Sequence, residues 1–536
     1  MAYDSDASDL QNTTRSFRWR DVPGSWPRRL LHVPTMTSLE RQEDNVYGDA
    51  KEPRYGILTY TWGRYPGTNE TRIGISGTTW SIPVVSATHF SAASLERVIK
   101  RIGEDVDFAW VDIACIDQED EAIKMDEVRN QVAIFANAHR VYVWLSRITT
   151  ESLRGILNDI FLCETHLQSQ DEQALGKSVL KALSDLNEYL SILLKDPWFS
   201  SLWTLQEGTL RSDALILSRE GYPIPLLHEP SLNVYYGFLL NAFWHLTSAS
   251  GWILMYGTPE VGPMADTVLN QIRLAGYDHA PFARNPNIQY GAARRRETTR
   301  PLDRIYGIMA IYGVRVGAKA NTEYTFEGLE QEFAATLNNR SPRLGQMFIH
   351  TAKPAPGCTW KITQRCRVTD ELGTFKSSGQ DSCTISASSS IGSAYNGPTC
   401  QLHSLLGIWH ARMAPSPGEN DRFYWCQIRL DDYVCDDYPN LPRIHDVPFD
   451  MSMEARDRFL PLGSALLKVF GDDSIIILKL GEQPVENSFM AAIGLVLLRI
   501  DGAGPGYQRL GICQWALGRP NGVQDPKWEH QCGIIY

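Results

Sequence analysis

Two apolar runs constrain the fold of this chain more than anything else in it. Residues 108–117, Phe-Ala-Trp-Val-Asp-Ile-Ala-Cys-Ile-Asp, and residues 140–146, Arg-Val-Tyr-Val-Trp-Leu-Ser, are nearly continuous in apolar side chains. A strand covered on both faces must be apolar at almost every position, and such strands belong to parallel sheets. Between the runs, residues 119–138 begin with acids and place Met125, Val128, Val132 and Phe135 on one face, which predicts a helix. Upstream, residues 54–63 read as a strand running into a glycine turn, with two short strand-like pieces near Ile73 and Trp80. Ser91 is placed to cap a helix through Ile102 whose Leu95, Val98, Ile99 and Ile102 keep helical spacing. A further strand is expected over 214–218. Strands alternating with helices predict a doubly wound α/β domain, in which ligands bind beyond the carboxyl ends of the strands. Residues 59–63, residues 114–118 and the loop after Ser146 should therefore meet at one edge.

The stretch 196–210, Asp-Pro-Trp-Phe-Ser-Ser-Leu-Trp-Thr-Leu-Gln-Glu-Gly-Thr-Leu, reads as one helix. Asp196 suits its cap and Pro197 its first position. Phe199, Trp203 and Leu210 form an apolar stripe, and Glu207, one turn after Trp203, falls inside it. A carboxylate there is either paired with a backbone amide or arginine, or functional.

At 536 residues the chain is too long for one core. Residues 1–50 are polar with anchors at Trp19, Trp26, Leu30, Leu31 and Val33, and predict an extended arm. Residues 51–225 hold the α/β pattern, with a polar helical region over 150–194. Residues 226–345 are helical. Their aromatic stretch 234–257 is interrupted by Asn241, His245 and several Ser/Thr residues, as a buried helix rather than a membrane span would be. Residues 346–536 change character, with Ser/Gly-rich turns over 377–397 and strands expected over 423–430, 474–480, 494–500 and 509–515, so a separate β-rich domain is predicted.

A net charge of −11 gives no overall electrostatic case for nucleic acid or an anionic membrane. The ten cysteines contain no Cys-x-x-Cys pair, which argues against a zinc ribbon and a disulfide framework and suits reduced thiols. The acidic N-terminus lacks the pattern of a secretory signal, and a cytoplasmic location is expected. No Gly-rich phosphate loop, His-Glu-x-x-His or Gly-x-Ser-x-Gly occurs.

The remaining candidates lie at the expected sheet edge. Asp112, inside a buried run, must be hydrogen-bonded or poised for chemistry. Asp117 and Gln118 suit either a ribose or cation contact or a cap on the following helix. Cys115 is either a small core residue or a nucleophile served by His89 or His139. Trp62 either stacks on a planar ligand or closes the core. The basic run Arg294, Arg295, Arg296 is a solvated, ion-paired face or a phosphate-facing patch.

Residues Thr59-Tyr60-Thr61-Trp62-Gly63, Trp110 to Gln118, Arg140 to Leu145, and Pro197-Trp198-Phe199 with Trp203-Thr204-Leu205-Gln206-Glu207 resemble, in this order, the motifs of the fungal heterokaryon incompatibility (HET) domain. The chain departs from that pattern at Ser201, where arginine is usual, at Phe135, where tyrosine is common, and at Ser146, where glycine is common. The HET domain is similar in turn to TIR domains, which have a flavodoxin-like sheet and in some branches cleave NAD. There the catalytic Glu follows a Trp by one helical turn, as Glu207 follows Trp203.

The resemblance implies a flavodoxin-like α/β domain, then a helical region and a β-rich domain. It implies catalysis by Glu207, with Tyr60 or Trp62 holding the nicotinamide ring, Gly63, Asp112, Cys115 and Trp203 lining the site, and Asp117 and Gln118 near the ribose or phosphates. NAD would be substrate, and neither cofactor nor metal is expected. Two functions compete: an NAD-cleaving effector of non-self recognition and cell death, self-associating through its α/β domain and answering to an unknown incompatibility partner, or a non-catalytic scaffold of the same fold.

Overall fold

The computed structural model describes residues 26–536 except 69, 169–176, 228, 280–282, 318–323, 388–391, 414–425, 443–458, 485–489, 501–505 and 518–525. Trp19 and part of the strand expected over 423–430 lie outside the described residues. The chain divides into two compact units, one running through Pro281 and taking in Arg295–Arg315, the other made of Phe282–Arg294 and Val316–Tyr536.

The first unit is built on a six-stranded mixed sheet. Its strands are β1 (Arg29–His32), β2 (Thr37–Glu40), β3 (Tyr55–Thr59), β4 (Phe108–Trp110), β5 (Arg140–Trp144) and β6 (Leu215–Leu217), in the order β2-β1-β4-β3-β5-β6. β4, β3, β5 and β6 are parallel, and β1 pairs antiparallel with both β2 and β4. The sheet is therefore not wholly parallel as expected. Residues 29–40, expected within an arm, form two of its strands, with Leu30 and Leu31 fully buried. The polar side chains that disguise this hairpin are paired: Arg29 donates through Nε to Ser38 Oγ at 3.0 Å and meets Glu40 at 3.1 Å.

From β3 the chain moves to one neighbour, β4, and then returns past β3 to β5. The strand order thus reverses between β3 and β5, the point in such sheets beyond whose carboxyl ends ligands bind. Ser91 caps the helix Ala92–Ile102 by accepting from Ser94 N at 3.1 Å, and Leu95, Val98, Ile99 and Ile102 are its buried face. The helix Glu121–Asn137 buries Glu127, Val128, Gln131, Ile134 and Phe135, a stripe rotated from the expected one because two polar residues lie inside it. Near Ile73 and Trp80 no strand forms; a single bridge ties Ser76 to Thr37. Helices Thr150–Gln168, Lys177–Leu193, Tyr236–Tyr256 and Gly262–Leu274 pack on one another and share the core of the sheet. Among the described residues no helix is long and apolar enough to cross a membrane.

In the second unit, strands Ser393–Gln401, Ile475–Pro484, Met490–Ile500, Gly506–Leu517 and Glu529–Ile535 pair in a closed ring. Closure removes free edges. Cys426–Leu430 adds to Gly506–Leu517, and Trp409, Trp515, Ile477 and Val496 fill one core. The β-rich reading of this part holds.

Candidate functional site

The predicted run 108–117 is a strand only as far as Trp110. Val111 stays extended, and Asp112–Cys115 turns as a single helical turn, with Cys115 N donating to Val111 O and Ile116 N to Asp112 O, both at 2.9 Å. Asp112 is thus not inside a buried strand; it opens the turn, where free amides favour a carboxylate. Its Oδ1 accepts from Ile113 N at 2.7 Å, and its Oδ2 accepts from Trp62 Nε1. The turn is clamped from three sides: Ser38 Oγ donates to Ala114 O (2.6 Å), Trp80 Nε1 to Ile113 O (3.1 Å) and Gln118 Nε2 to Asp112 O (3.2 Å). The β1–β2 hairpin therefore helps to set the position of Asp112.

The helix expected over 196–210 is two. Asp196 caps the first, Pro197–Ser200, accepting from Trp198 N at 3.0 Å, and Pro197 takes its first position as predicted. Ser201 is extended, and the second helix is Leu202–Leu210. The break persists because residue 297 satisfies its backbone: Glu297 N donates to Ser200 O (2.7 Å) and Leu202 N to Glu297 O (3.1 Å).

On the second helix Trp203 and Glu207 share a face. Burial raises the Glu207 carboxyl to about 8, with a hydrogen bond from Thr59 opposing it and the Asp112 charge adding to it. Thr59 Oγ1 accepts from Trp198 Nε1 at 2.9 Å, which turns its own proton toward Glu207. The second oxygen, Oε2, is buried without a partner. Trp203 Nε1 donates to Asp303 Oδ2 at 3.4 Å, and Thr298 Oγ1 donates to the same oxygen at 2.9 Å. Burial raises the carboxyls of Asp112 and Asp303 as well, and the charge of Lys124 opposes both shifts. Tyr60 is buried with its hydroxyl toward Asp112, and burial and that charge raise it well above its usual range.

Trp62, Asp112, Lys124, Trp203, Glu207 and Asp303 are each only partly covered. They form a half-exposed cluster in which carboxylates outnumber cations and, among the described residues, Glu207 has no ion pair. Such a field favours a positively charged ligand group and holds carboxyl protons that the group would displace. Asp303 and Lys124 were not among the predicted site residues. The sequence offered only their positions within a basic segment and a helix.

Other predicted residues have structural work. Asp117 Oδ1 accepts from Glu119 N and Asp120 N, both at 2.9 Å. Gln118 braces the carbonyls of Asp112 and Ile116. Gly63 is exposed with open space where a Cβ would stand. Cys115 is buried, donates weakly to Ala109 O at 3.7 Å, and burial pushes its thiol up to about 12. Its expected bases are engaged elsewhere, His89 with Thr61 O and His139 with Arg54, so the nucleophile reading of Cys115 fails. Arg296, expected on a solvated or phosphate-facing patch, is 2% exposed; it donates to Phe199 O and to Ala275 O (2.8 Å) and lies over Tyr277.

The stretch from the start of β3 to Glu207 matches a known family. Residues 55–207 match the family described as heterokaryon incompatibility protein (HET). The matched segment begins at Tyr55 and ends on Glu207, leaving Asp303 outside it. Over 431 residues the chain is 22% identical to heterokaryon incompatibility protein 6, OR allele, of Neurospora crassa, a match covering 71% of this chain and 57% of that protein. The chain thus spans a little over half the length of that relative. No solved structure matches.

Proposed function

We propose that the HET segment is a flavodoxin-like, TIR-related domain that cleaves NAD to nicotinamide and ADP-ribose, and that the protein is a cytoplasmic effector of fungal non-self recognition and cell death. The observation that carries this reading is Glu207, a half-exposed carboxylate with one buried oxygen that, among the described residues, has neither a hydrogen-bond partner nor an ion pair. The reversal of strand order between β3 and β5 supports it, because ligands of such sheets bind beyond the carboxyl ends of the strands at that point.

In this reaction the C–N bond between ribose and nicotinamide breaks, its electron pair leaves with the ring, and water adds to the sugar carbon and releases a proton to solvent. The cationic nicotinamide enters a field set by Glu207, Asp112 and Asp303, which favours their ionised forms. Ionised Glu207 then stabilises the oxocarbenium-like transition state, and Trp62, held by Asp112, offers a ring face to the ligand. At low NAD the rate should rise with pH as Glu207 of the free protein ionises around 8.

The test is cellular NAD after induced expression in a heterologous yeast, wild type against Glu207→Gln at equal protein level. NAD falling with wild type alone supports cleavage. Growth arrest with unchanged NAD supports the second reading, a non-catalytic scaffold acting through homotypic association. That reading is favoured by Asp117 and Gln118, whose polar groups are engaged with backbone rather than free for a nucleotide.

A further inference from the structure

Beside the carboxylate cluster, at the carboxyl ends of β3 and β5, lies one of opposite charge. Tyr65 is stacked on His89 with ring centroids 4.0 Å apart, and the guanidinium groups of Arg64 and Arg147 lie 5.6 Å and 5.5 Å from the same tyrosine ring. Two cations are thus gathered around one side chain. Arg64, with a side chain only 13% exposed, donates through Nη2 to Pro197 O (3.1 Å) and Ser200 Oγ (2.9 Å) and pairs with the exposed Glu297. It arrives from the β3 loop next to Ser201, the position where the resemblance leads one to expect arginine.

Arg147 is exposed, and its guanidinium makes no ion pair within 4.0 Å among the described residues. Asp196, beneath it, accepts from its backbone amide at 3.0 Å and also from Trp198 N. Three polar atoms here are buried without partners: Thr61 Oγ1, Arg64 Nε and His89 Nδ1. His89 itself is 6% exposed, and its Nε2 donates to Thr61 O. Burial lowers the imidazole to about 4, and the charges of Arg147 and Arg64 add to that. A buried imidazole nitrogen without a partner is unfavourable in the free protein. It becomes favourable when an anion enters with a proton, because Nδ1–H can then donate to the anion.

We propose that Arg64, Arg147 and His89 form a diphosphate-binding subsite that takes the diphosphate of a soluble nucleotide. The subsite stands on its own geometry. It rests on the NAD reading only in that a dinucleotide would set its diphosphate here and its nicotinamide ribose at the carboxylate cluster. Opposite fields side by side match a ligand that is cationic at one end and anionic in the middle. They also oppose the reversed pose.

Calorimetric titration of the full chain with ADP and with inorganic pyrophosphate tests this. Three proteins are compared: wild type, Arg147→Gln, which alters an exposed side chain, and Glu207→Gln. Wild type should bind both ligands, ADP more tightly. Arg147→Gln should weaken both by about tenfold or more, as expected for a charge-assisted contact to phosphate. Glu207→Gln should leave both unchanged, so that loss of NAD cleavage in cells would not touch this result. The proposal is overturned if wild type binds neither ligand at about 10 mM, or if Arg147→Gln binds as wild type does. Equal affinity for ADP and pyrophosphate would overturn the nucleotide assignment.

Discussion

The two units treat buried charge in opposite ways. In the second unit Arg509 and Asp431 are both fully buried and paired at 3.3 Å. Arg509 also donates to Gln346 Oε1 at 2.9 Å and covers the ring of Phe348, while Asp431 accepts from His350 N at 2.9 Å. Arg343, 1% exposed, meets Asp381 at 2.9 Å and donates to the Gly379 carbonyl at 2.8 Å. In the first unit Glu207 and Asp112 are half-covered, lie within each other's field and, among the described residues, make no ion pair. The buried charges of the second unit are neutralised where they stand, whereas Glu207 and Asp112 of the first are not.

That contrast can be broken most forcefully at Arg509. Replacing it with Met leaves Asp431 buried and uncompensated, and should destabilise the second unit by about 3–5 kcal/mol. The loss is measured as a shift in its urea transition. Adding Asp431→Leu should recover much of it; no recovery would mean that the pair itself, rather than the orphaned charge, holds the unit.

The opposite sign is expected at Glu207. Its folded value of about 8 lies above the ordinary 4.5, so the folded state holds a proton that the unfolded state releases, and stability falls as pH rises from 4.5 to 8. Glu207→Gln should therefore stabilise the first unit by about 4 kcal/mol at pH 8 and by nearly nothing at pH 4. Thermal unfolding at the two pH values decides this. Stabilisation that is equal at both would place the effect outside ionisation.

Asp196→Ala removes a cap and should cost about 1–2 kcal/mol in the same unit, read by denaturant unfolding. The smallest effect belongs to Cys115. Cys115→Ala should leave NAD loss in yeast unchanged, and a loss of activity without loss of protein would restore the nucleophile.

Much of this was legible in order but not in detail. The strands over 55–59, 140–144 and 215–217, the Ser91 cap and the capping pair Asp196–Pro197 follow from local pattern, since apolar runs and caps act through near neighbours. The β1–β2 hairpin was missed because Arg29 and Glu40 look solvated until each finds the other across the turn. The break at Ser201 depends on residue 297, nearly a hundred positions away. The turn at Asp112 resembles a strand because burial imposes the same apolar composition on both.

The sequence by itself determined that an α/β arrangement precedes a β-rich one and that Glu207 shares a helix face with Trp203. Periodicity encodes both. Only the tertiary structure decided that Glu207 would face Asp112 rather than an arginine, that Asp303 would reach Trp203, and that Arg64 and Arg147 would meet at Tyr65. Those distances are set by how the strands and helices pack, and no local signal reports them.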